Sequence, residues 1–160
     1  MRLIGSIVAA VAVVGAPLSA HALCIYHGKD NVQTTIPQEF KDSTWVVRAT
    51  VLSARDHWSD AGDSWAVYRL QVEHAYKGRP PARLRFFTYR DSGGFYLDRG
   101  RSHDIGGEYL LFLNPKVRWA HEPAVVTGAV FMNYSCGVSK PWGQVTEADK
   151  RSLLKLSGRR

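Results

Sequence analysis

Cysteine is scarce in this sequence, and so are long apolar runs. Only two of the 160 residues are Cys, which is too few for a four-cysteine zinc site or a disulfide-dense miniprotein. The 14 Gly and 7 Pro follow no fixed period, so collagen-like and low-complexity chains are excluded. A hydrophobic content of 45% excludes a disordered chain. What remains is one basic globular domain, of net charge +7, with aromatic residues for its core.

The first 22 residues have the pattern of a secretory signal peptide. A positive start at Met1-Arg2 precedes an apolar run over residues 3–14, and Gly15-Ala16-Pro17 ends that run. Ala20-His21-Ala22 then supplies small residues at the two positions that a signal peptidase reads. The run has roughly twelve residues, fewer than a membrane span needs, although a retained anchor is the alternative. We therefore expect a signal peptide at 1–22, one domain over 23–160 without a membrane span, and a secreted or periplasmic protein.

The interpretation of the two cysteines depends on whether the protein is exported. In an oxidising compartment the default for a single pair is one disulfide, here Cys24–Cys136. Such a bond closes nearly the whole mature chain into a loop, which chain-entropy arguments value at about 4–5 kcal/mol. Two free or intermolecular thiols are the alternative. The disulfide predicts that the mature N-terminus lies beside the last strand.

The chain after the signal segment predicts strands followed by one helix. Runs rich in β-branched and aromatic residues are separated by polar, Gly and Pro clusters. Thr146 can cap a helix that has acids in its first turn and ends at Gly158. The fold class we expect is mainly β: a five-stranded, OB-like closed barrel with a C-terminal helix and room for a short N-terminal helix. The predicted strands are 43–54, 65–76, 83–89, 108–113 and 124–134.

Four segments occur in an order that resembles a known family. They are Ser43–Val51, Tyr68–Gly78 with its Tyr-Lys-Gly ending, Gly106–Phe112 with Gly-Glu-Tyr-Leu-Leu-Phe, and Asn133–Cys136. Together they resemble the netrin-like/tissue-inhibitor-of-metalloproteinases superfamily in its small exported bacterial form, over about residues 24–157. The resemblance implies an OB-like barrel with flanking helices, a disulfide-tied N-terminus and no catalytic activity.

The same resemblance implies a binding edge at the start of the mature chain. Inhibitors of this family begin with a Cys whose amine and carbonyl chelate the protease zinc at its open coordination position. Here Leu23 is expected to precede Cys24, so the required amine becomes an amide and chelation is not expected. We expect an exported binding module for a protein partner, with a metalloprotease as one candidate. The partner-binding candidates are Leu23, Cys24, Ile25, Tyr26 and His27.

A row of basic and aromatic residues favours an alternative function. Arg83, Arg85, Phe87 and Tyr89 are spaced two apart, so they share one face of the third predicted strand. OB-folds hold single-stranded nucleic acid on such faces, but export makes acidic envelope polymers the better-matched ligand. The competing structural interpretation is that the arginine stems cover apolar surface while their charged groups stay solvated.

The sequence contains no recognised catalytic motif. Ser102-His103-Asp104 has the residue types of a triad, but neighbours in sequence cannot face one another as a triad requires. Asp56, His57, Asp60 and Asp63 fall in one predicted loop and could hold a cation, although no calcium-loop template matches and a solvated hairpin tip is favoured. We therefore predict no catalytic residue, no metal site and no cofactor, and an enzyme of unrecognised type ranks last.

Overall fold

The structure is a computed structural model that describes residues 24–59, 62–90, 94–100, 102–120 and 122–158. The predicted signal peptide at 1–22 and the binding candidate Leu23 lie outside the described residues. Within the described ranges, no helix is long and apolar enough to cross a membrane.

The described chain is mainly β and ends in a helix. Its helices are α1 (Ile36–Asp42) and α2 (Glu147–Leu156), with short 3-10 turns at Ala124–Val126 and Trp142–Gln144. The expectation of five strands is too low, because the described ranges contain ten. In chain order the strands are β1 (Ile25–Tyr26), β2 (Lys29–Asp30), β3 (Trp45–Trp58), β4 (Ser64–Lys77), β5 (Arg83–Tyr89), β6 (Asp98–Arg99), β7 (Ser102–His103), β8 (Glu108–Pro115), β9 (Val130–Met132) and β10 (Lys140–Pro141).

Six of these strands form one sheet in the order β10-β8-β3-β4-β5-β9. An additional pairing joins β9 to β8, so the path of hydrogen-bonded neighbours β3-β4-β5-β9-β8 returns to β3. All pairings in the sheet are antiparallel except that of β5 with β9, which rests on Phe86 and Val130. The strands β1–β2 and β6–β7 form two separate short hairpins.

Alternation along β4 sets the inner and outer faces of the sheet. Ala66, Tyr68 and Leu70 are fully buried, as the period of two predicts, whereas Arg69 between them is exposed. The inner residues of β3, β4, β5, β8 and β9 form the largest core cluster. A second cluster packs α1 and α2 against the other side of β3 and β8, around Val46 and Phe112.

Both helices begin at capping boxes. Thr35 accepts from the N–H of Gln38 and Thr146 accepts from that of Asp149, which satisfies backbone groups that have no partner inside the helix. At the other end of α1, the Lys77 ammonium donates to the carbonyls of Phe40 (2.5 Å) and Lys41 (2.8 Å). A cation at a helix C-terminus is stabilising, so this Lys has a structural role.

Two glycines of the quoted segments are required by close packing. Gly78 has φ +75°, and a Cβ atom there would lie 2.5 Å from Trp45 Cδ1 and 2.6 Å from the carbonyl oxygen of Thr44. A Cβ on Gly107 would overlap the carboxylate of Asp104, which accepts from the Tyr109 hydroxyl at 3.0 Å. Gly78 and Gly107, which belong to the segments quoted for the family resemblance, therefore have structural roles in a turn and in close packing.

The predicted disulfide is confirmed. Cys24 and Cys136 are bonded, with 6.1 Å between their Cα atoms, and the bond ties the start of the described chain to the segment after β9. The predicted last strand at 124–134 is corrected to a 3-10 turn and the three-residue β9, because Gly128 adopts φ +72° between them. Between the predicted strands at 83–89 and 108–113 the structure contains a further element, the β6–β7 hairpin.

Candidate functional site

Four arginines lie on the outer face of β3, β4 and β5, and we call them the arginine face. Arg69 of β4 pairs directly with Arg85 of β5, and Arg83 lies two residues before Arg85 on the same side of that strand. Arg55 of β3 lies opposite Val67, two residues from Arg69 on β4. All four arginines are exposed. The register thus places guanidinium groups in three successive rows along the strands.

Two cavities open between these arginines. The first has a volume of about 360 Å³ and combines three arginines with an apolar floor and two polar side chains. Its lining residues are Ser53, Ala54, Arg55, His57, Val67, Arg69, Arg85 and Val125. The second has a volume of about 450 Å³ and shares Ser53, Arg69 and Arg85 with the first. Its remaining lining residues are Leu52, Arg83 and Leu84.

The arginine face carries positive charge that no carboxylate among the described residues neutralises. Neither cavity is lined by a carboxylate, and within the described part of the chain none of the four arginines forms an ion pair. Arg85 is held in place by its Nη2, which donates to the Thr127 carbonyl at 2.5 Å. Like charges directly opposite one another on adjacent strands are destabilising, so the Arg69–Arg85 pair has a cost that an anionic ligand would offset.

A β-bulge shapes the second cavity. The register of β3 against β4 shifts between Val51 and Ser53, so Leu52 has no partner residue on β4. Both Leu52 and Ser53 are exposed in consequence. Bulges of this kind redirect a side chain, and here the bulge places Leu52 at the rim of the cavity.

Of the two aromatic residues in the predicted polyanion row, Phe87 is buried and Tyr89 is half-buried. Phe87 is 2% exposed and packs with Val67, Val126 and Ala129. The hydroxyl of Tyr89 donates to Glu122 at 2.5 Å. Phe87 is therefore corrected from a ligand platform to a core residue, while Arg83 and Arg85 are exposed as the spacing indicates.

The Tyr89 hydroxyl donates its hydrogen bond to the carboxylate of Glu122, which is buried. Burial alone would raise the pKa of this carboxyl, but hydrogen bonds from the Lys116 ammonium, the Tyr89 hydroxyl and the backbone N–H of Trp119 hold the pKa below its usual value. The buried Lys116–Glu122 ion pair lies within the loop after β8, and the hydrogen bond from the Tyr89 hydroxyl joins that loop to β5. We assign it a structural role.

The N-terminal candidates form a hairpin held against α1. His27 and Gly28 occupy the turn with positive φ angles, and Ile25 is 58% exposed. The Tyr26 hydroxyl and His27 Nε2 both contact Asp42 Oδ2, at 2.5 and 2.9 Å. Burial, followed by this hydrogen bond, raises the pKa of Tyr26 to about 12. Of the described candidates, Ile25 is the one that offers a large apolar surface to a partner.

The backbone of Cys24 is already engaged within the protein. Its N–H donates to Asn31 Oδ1 at 3.4 Å, and its carbonyl accepts from the Asn31 N–H at 2.6 Å and the Tyr134 hydroxyl at 3.4 Å. Zinc chelation of the inhibitor type needs a free amine and a free carbonyl at this position. In the structure both of these backbone groups of Cys24 are hydrogen-bonded within the protein.

Of the four residues weighed as a cation site, the three that the structure describes make separate contacts. Asp56 and His57 belong to β3 rather than to a loop, and Asp60 lies outside the described residues. His57 stacks on Trp65, with 5.7 Å between ring centroids, whereas Asp63 accepts from the Ser59 hydroxyl at 3.4 Å. No group of three or more metal-ligating side chains is found in the parts of the chain that the structure covers.

Sequence reasoning missed a polar cluster around His103. The ring Nδ1 lies 3.1 Å from Asp98 Oδ1 and 3.0 Å from the Tyr68 hydroxyl, and Nε2 lies 3.1 Å from Asp56 Oδ2. Arg90 bridges the two carboxylates at 3.4 and 3.5 Å. The cluster joins the β6–β7 hairpin to β3, β4 and the end of β5, and both ring nitrogens are used in doing so. Its signal in the sequence was weak, because the partners are 35 to 47 positions away except Asp98.

Comparison with known protein families and with curated proteins finds no match for this chain.

Proposed function

We propose that this protein is an exported, non-catalytic binding module that holds an anionic polymer on its arginine face. The observation that carries the proposal is the group of four exposed arginines on three adjacent strands, around two cavities that no carboxylate of the described residues lines. Clustered positive charge raises the local concentration of anionic ligands and speeds their association. Arg85, fixed by the Thr127 carbonyl, is already ordered for binding.

We also propose that the ring of five paired strands is an OB-like barrel. The pairing order β3-β4-β5-β9-β8, with a parallel contact between β5 and β9, supports this interpretation. OB-folds bind oligonucleotides and oligosaccharides on the face of their second and third strands. Here those strands are β4 and β5, which carry three of the four arginines.

Export is the third part of the proposal. The Cys24–Cys136 disulfide supports it, because such bonds persist in oxidising compartments and are rare in the cytosol. The N-terminal sequence pattern supports it independently. An acidic polymer of the cell envelope or its surroundings is the ligand that this location would offer. Sequencing the N-terminus of the protein recovered from its source tests this part, and an intact Met1 would contradict it.

Salt-dependent binding of heparin tests the anionic-polymer proposal. The affinity should fall steeply as salt rises, because binding releases counterions. The double variant Arg69→Ala/Arg85→Ala should bind weakly and reduce the slope of log K against log salt by about one for each arginine removed. The matched control Arg151→Ala/Lys155→Ala removes the same charge from exposed positions of α2 and should leave the slope close to that of the wild type. Equal losses in both double variants would overturn the proposal.

A second candidate function is supported at the N-terminal edge. Ile25 and Phe131 are both exposed, and they line one cavity of about 200 Å³ together with Cys24 and Met132. Exposed apolar side chains around a cavity can receive a protein partner, with a metalloprotease as the candidate from the family resemblance. Inhibition of a zinc metalloprotease by the wild type, and its loss in Ile25→Ser, would support this function. Absence of inhibition at high protein concentration would remove the metalloprotease as candidate.

A further inference from the structure

The two cavities of the arginine face combine charge with apolar surface, and this combination narrows the class of ligand. Building on the function proposed above, we propose that the anionic polymer is an acidic polysaccharide. Two neighbouring sugar units would occupy the two cavities, and Arg69 and Arg85 would contact the anionic groups between them. Three features of the described residues favour this ligand: the apolar side chains in the cavities, their few aromatic rings and the spacing of the charges.

Apolar side chains line both cavities beside the guanidinium groups. Val67 and Val125 line the first cavity, and the exposed Leu52 lines the second, whereas the side chain of Leu84 belongs to the inner core cluster. Sugar rings present apolar C–H faces next to their sulfate or carboxylate groups, so one unit can use both kinds of surface at once. Polyphosphate has no apolar face and would leave these side chains uncovered. The exposed Leu52 at the bulge therefore favours a ligand that has an apolar face.

Within the described ranges, no Phe, Tyr or Trp lines either cavity. Proteins that hold single strands stack the bases on exposed aromatic rings. Among the described lining residues the one ring is His57, and it lies parallel to Trp65 with an interplanar angle of 10°. Phe87 is buried in the core. A chain of flat bases would thus gain charge contacts but little stacking.

The charges follow a line that suits an extended polymer. Arg83 marks the first row, the Arg69–Arg85 pair marks the second and Arg55 marks the third. Successive rows are two residues apart along a strand, which corresponds to roughly 6.4–6.8 Å. A single small anion can meet one row, whereas a linear polymer meets all three. Binding should therefore strengthen with the length of the oligomer until both cavities are filled.

Titration calorimetry with matched probes tests this inference. The probes are a heparin disaccharide, a heparin tetrasaccharide, a linear polyphosphate with the charge of the tetrasaccharide, and oligodeoxythymidine of comparable length. We expect the tetrasaccharide to bind tightest and the disaccharide at least tenfold more weakly. The variants Leu52→Ser and Val125→Ser should each weaken the tetrasaccharide roughly three- to tenfold, through lost apolar contact, and leave polyphosphate binding unchanged. Leu154→Ser, at an exposed position of α2, is the matched control and should change neither.

Each other outcome identifies which proposal fails. Polyphosphate binding as tight as that of the tetrasaccharide, with no effect of Leu52→Ser, would overturn the polysaccharide inference and leave the polyanion function standing. Preference for oligodeoxythymidine would overturn it in favour of single-stranded nucleic acid. No binding of any probe at low salt would overturn both. Because Leu52 is exposed, the circular dichroism spectrum of Leu52→Ser should match that of the wild type. If the spectrum differs, the apolar contact is tested with Val125→Ser alone.

Discussion

The carboxylate of Glu39 fills the space that a side chain at Gly137 would need. Glu39 is fully buried on α1, and its Oε1 accepts from the Val138 N–H at 2.8 Å and from the Thr34 hydroxyl. A Cβ atom on Gly137 would overlap this carboxylate. Since Gly137 follows Cys136, one acidic side chain ties α1 to the segment that the disulfide anchors. Glu39 Oε2 has no hydrogen-bond partner among the described residues.

Replacing Gly137 by Ala should destabilise the protein. The added methyl group overlaps the Glu39 carboxylate, and overpacking of this kind costs about 1–3 kcal/mol of the free energy of unfolding. Gly143→Ala is the matched control, because no atom of the described residues lies within 4 Å of the Cβ position there. Urea unfolding of both variants measures the difference. Similar midpoints for the two variants would show that the carboxylate moves aside freely.

Glu39 should also make the stability fall as pH rises. Burial is the main cause that raises the pKa of this carboxyl above its usual value. Between the unfolded and the folded pKa the native state binds more protons than the unfolded state, so the free energy of unfolding decreases with increasing pH in that window. Glu39→Gln keeps an acceptor for the Val138 N–H and removes the titration. Urea unfolding across this pH window measures how steeply the free energy of unfolding falls with pH. The fall should be less steep for Glu39→Gln than for the wild type, and equally steep falls would contradict the prediction.

The strands that could be predicted are those whose ends and apolar residues are marked within the segment itself. Residues 83–89 were predicted with the observed bounds, because in the sequence a Gly and Pro cluster precedes the strand and Asp91-Ser-Gly-Gly94 follows it. The last strand was predicted too long, since the apolar run at 124–134 hides the bend at Gly128. The hairpin at β6–β7 was missed because two-residue strands have no pattern of their own.

Half of the arginine face could be predicted from the sequence. Arg83 and Arg85 were found by their spacing on one strand, whereas Arg55 and Arg69 join them only through the register of three strands. The alternation along β4 already indicates that Arg69 points outward, but not which residue it faces. The burial of Phe87 depends on Val126 and Ala129 of a later segment, and no local signal reports that contact.

Two histidines that contact carboxylates should differ in their effect on stability. His103 lies 3.1 Å from both Asp98 and Asp56 and its side chain is 21% exposed, whereas His27 contacts Asp42 at 2.9 Å and is 68% exposed. Hydrogen bonds to charged groups contribute about 1.5–3 kcal/mol when partly buried, and exposed pairs contribute about 0–1 kcal/mol. We expect His103→Ala to lower the free energy of unfolding by several times more than His27→Ala. Denaturant unfolding at one pH measures both, and equal losses would argue against a fixed cluster at His103.

Removing charge from the arginine face should raise stability while it weakens binding. Arg69 and Arg85 lie directly opposite each other, and relief of such a like-charge pair by Arg69→Gln should add about 0.2–1 kcal/mol to the free energy of unfolding. The gain should shrink as salt screens the pair. Arg85→Gln removes the same repulsion but also the hydrogen bond to the Thr127 carbonyl, so its gain should be smaller. Thermal unfolding at low and high salt, with heparin affinity measured in parallel, compares the two variants. A loss of stability in Arg69→Gln would mean that the two guanidinium groups do not repel, and the cost that we assign to this pair would be absent.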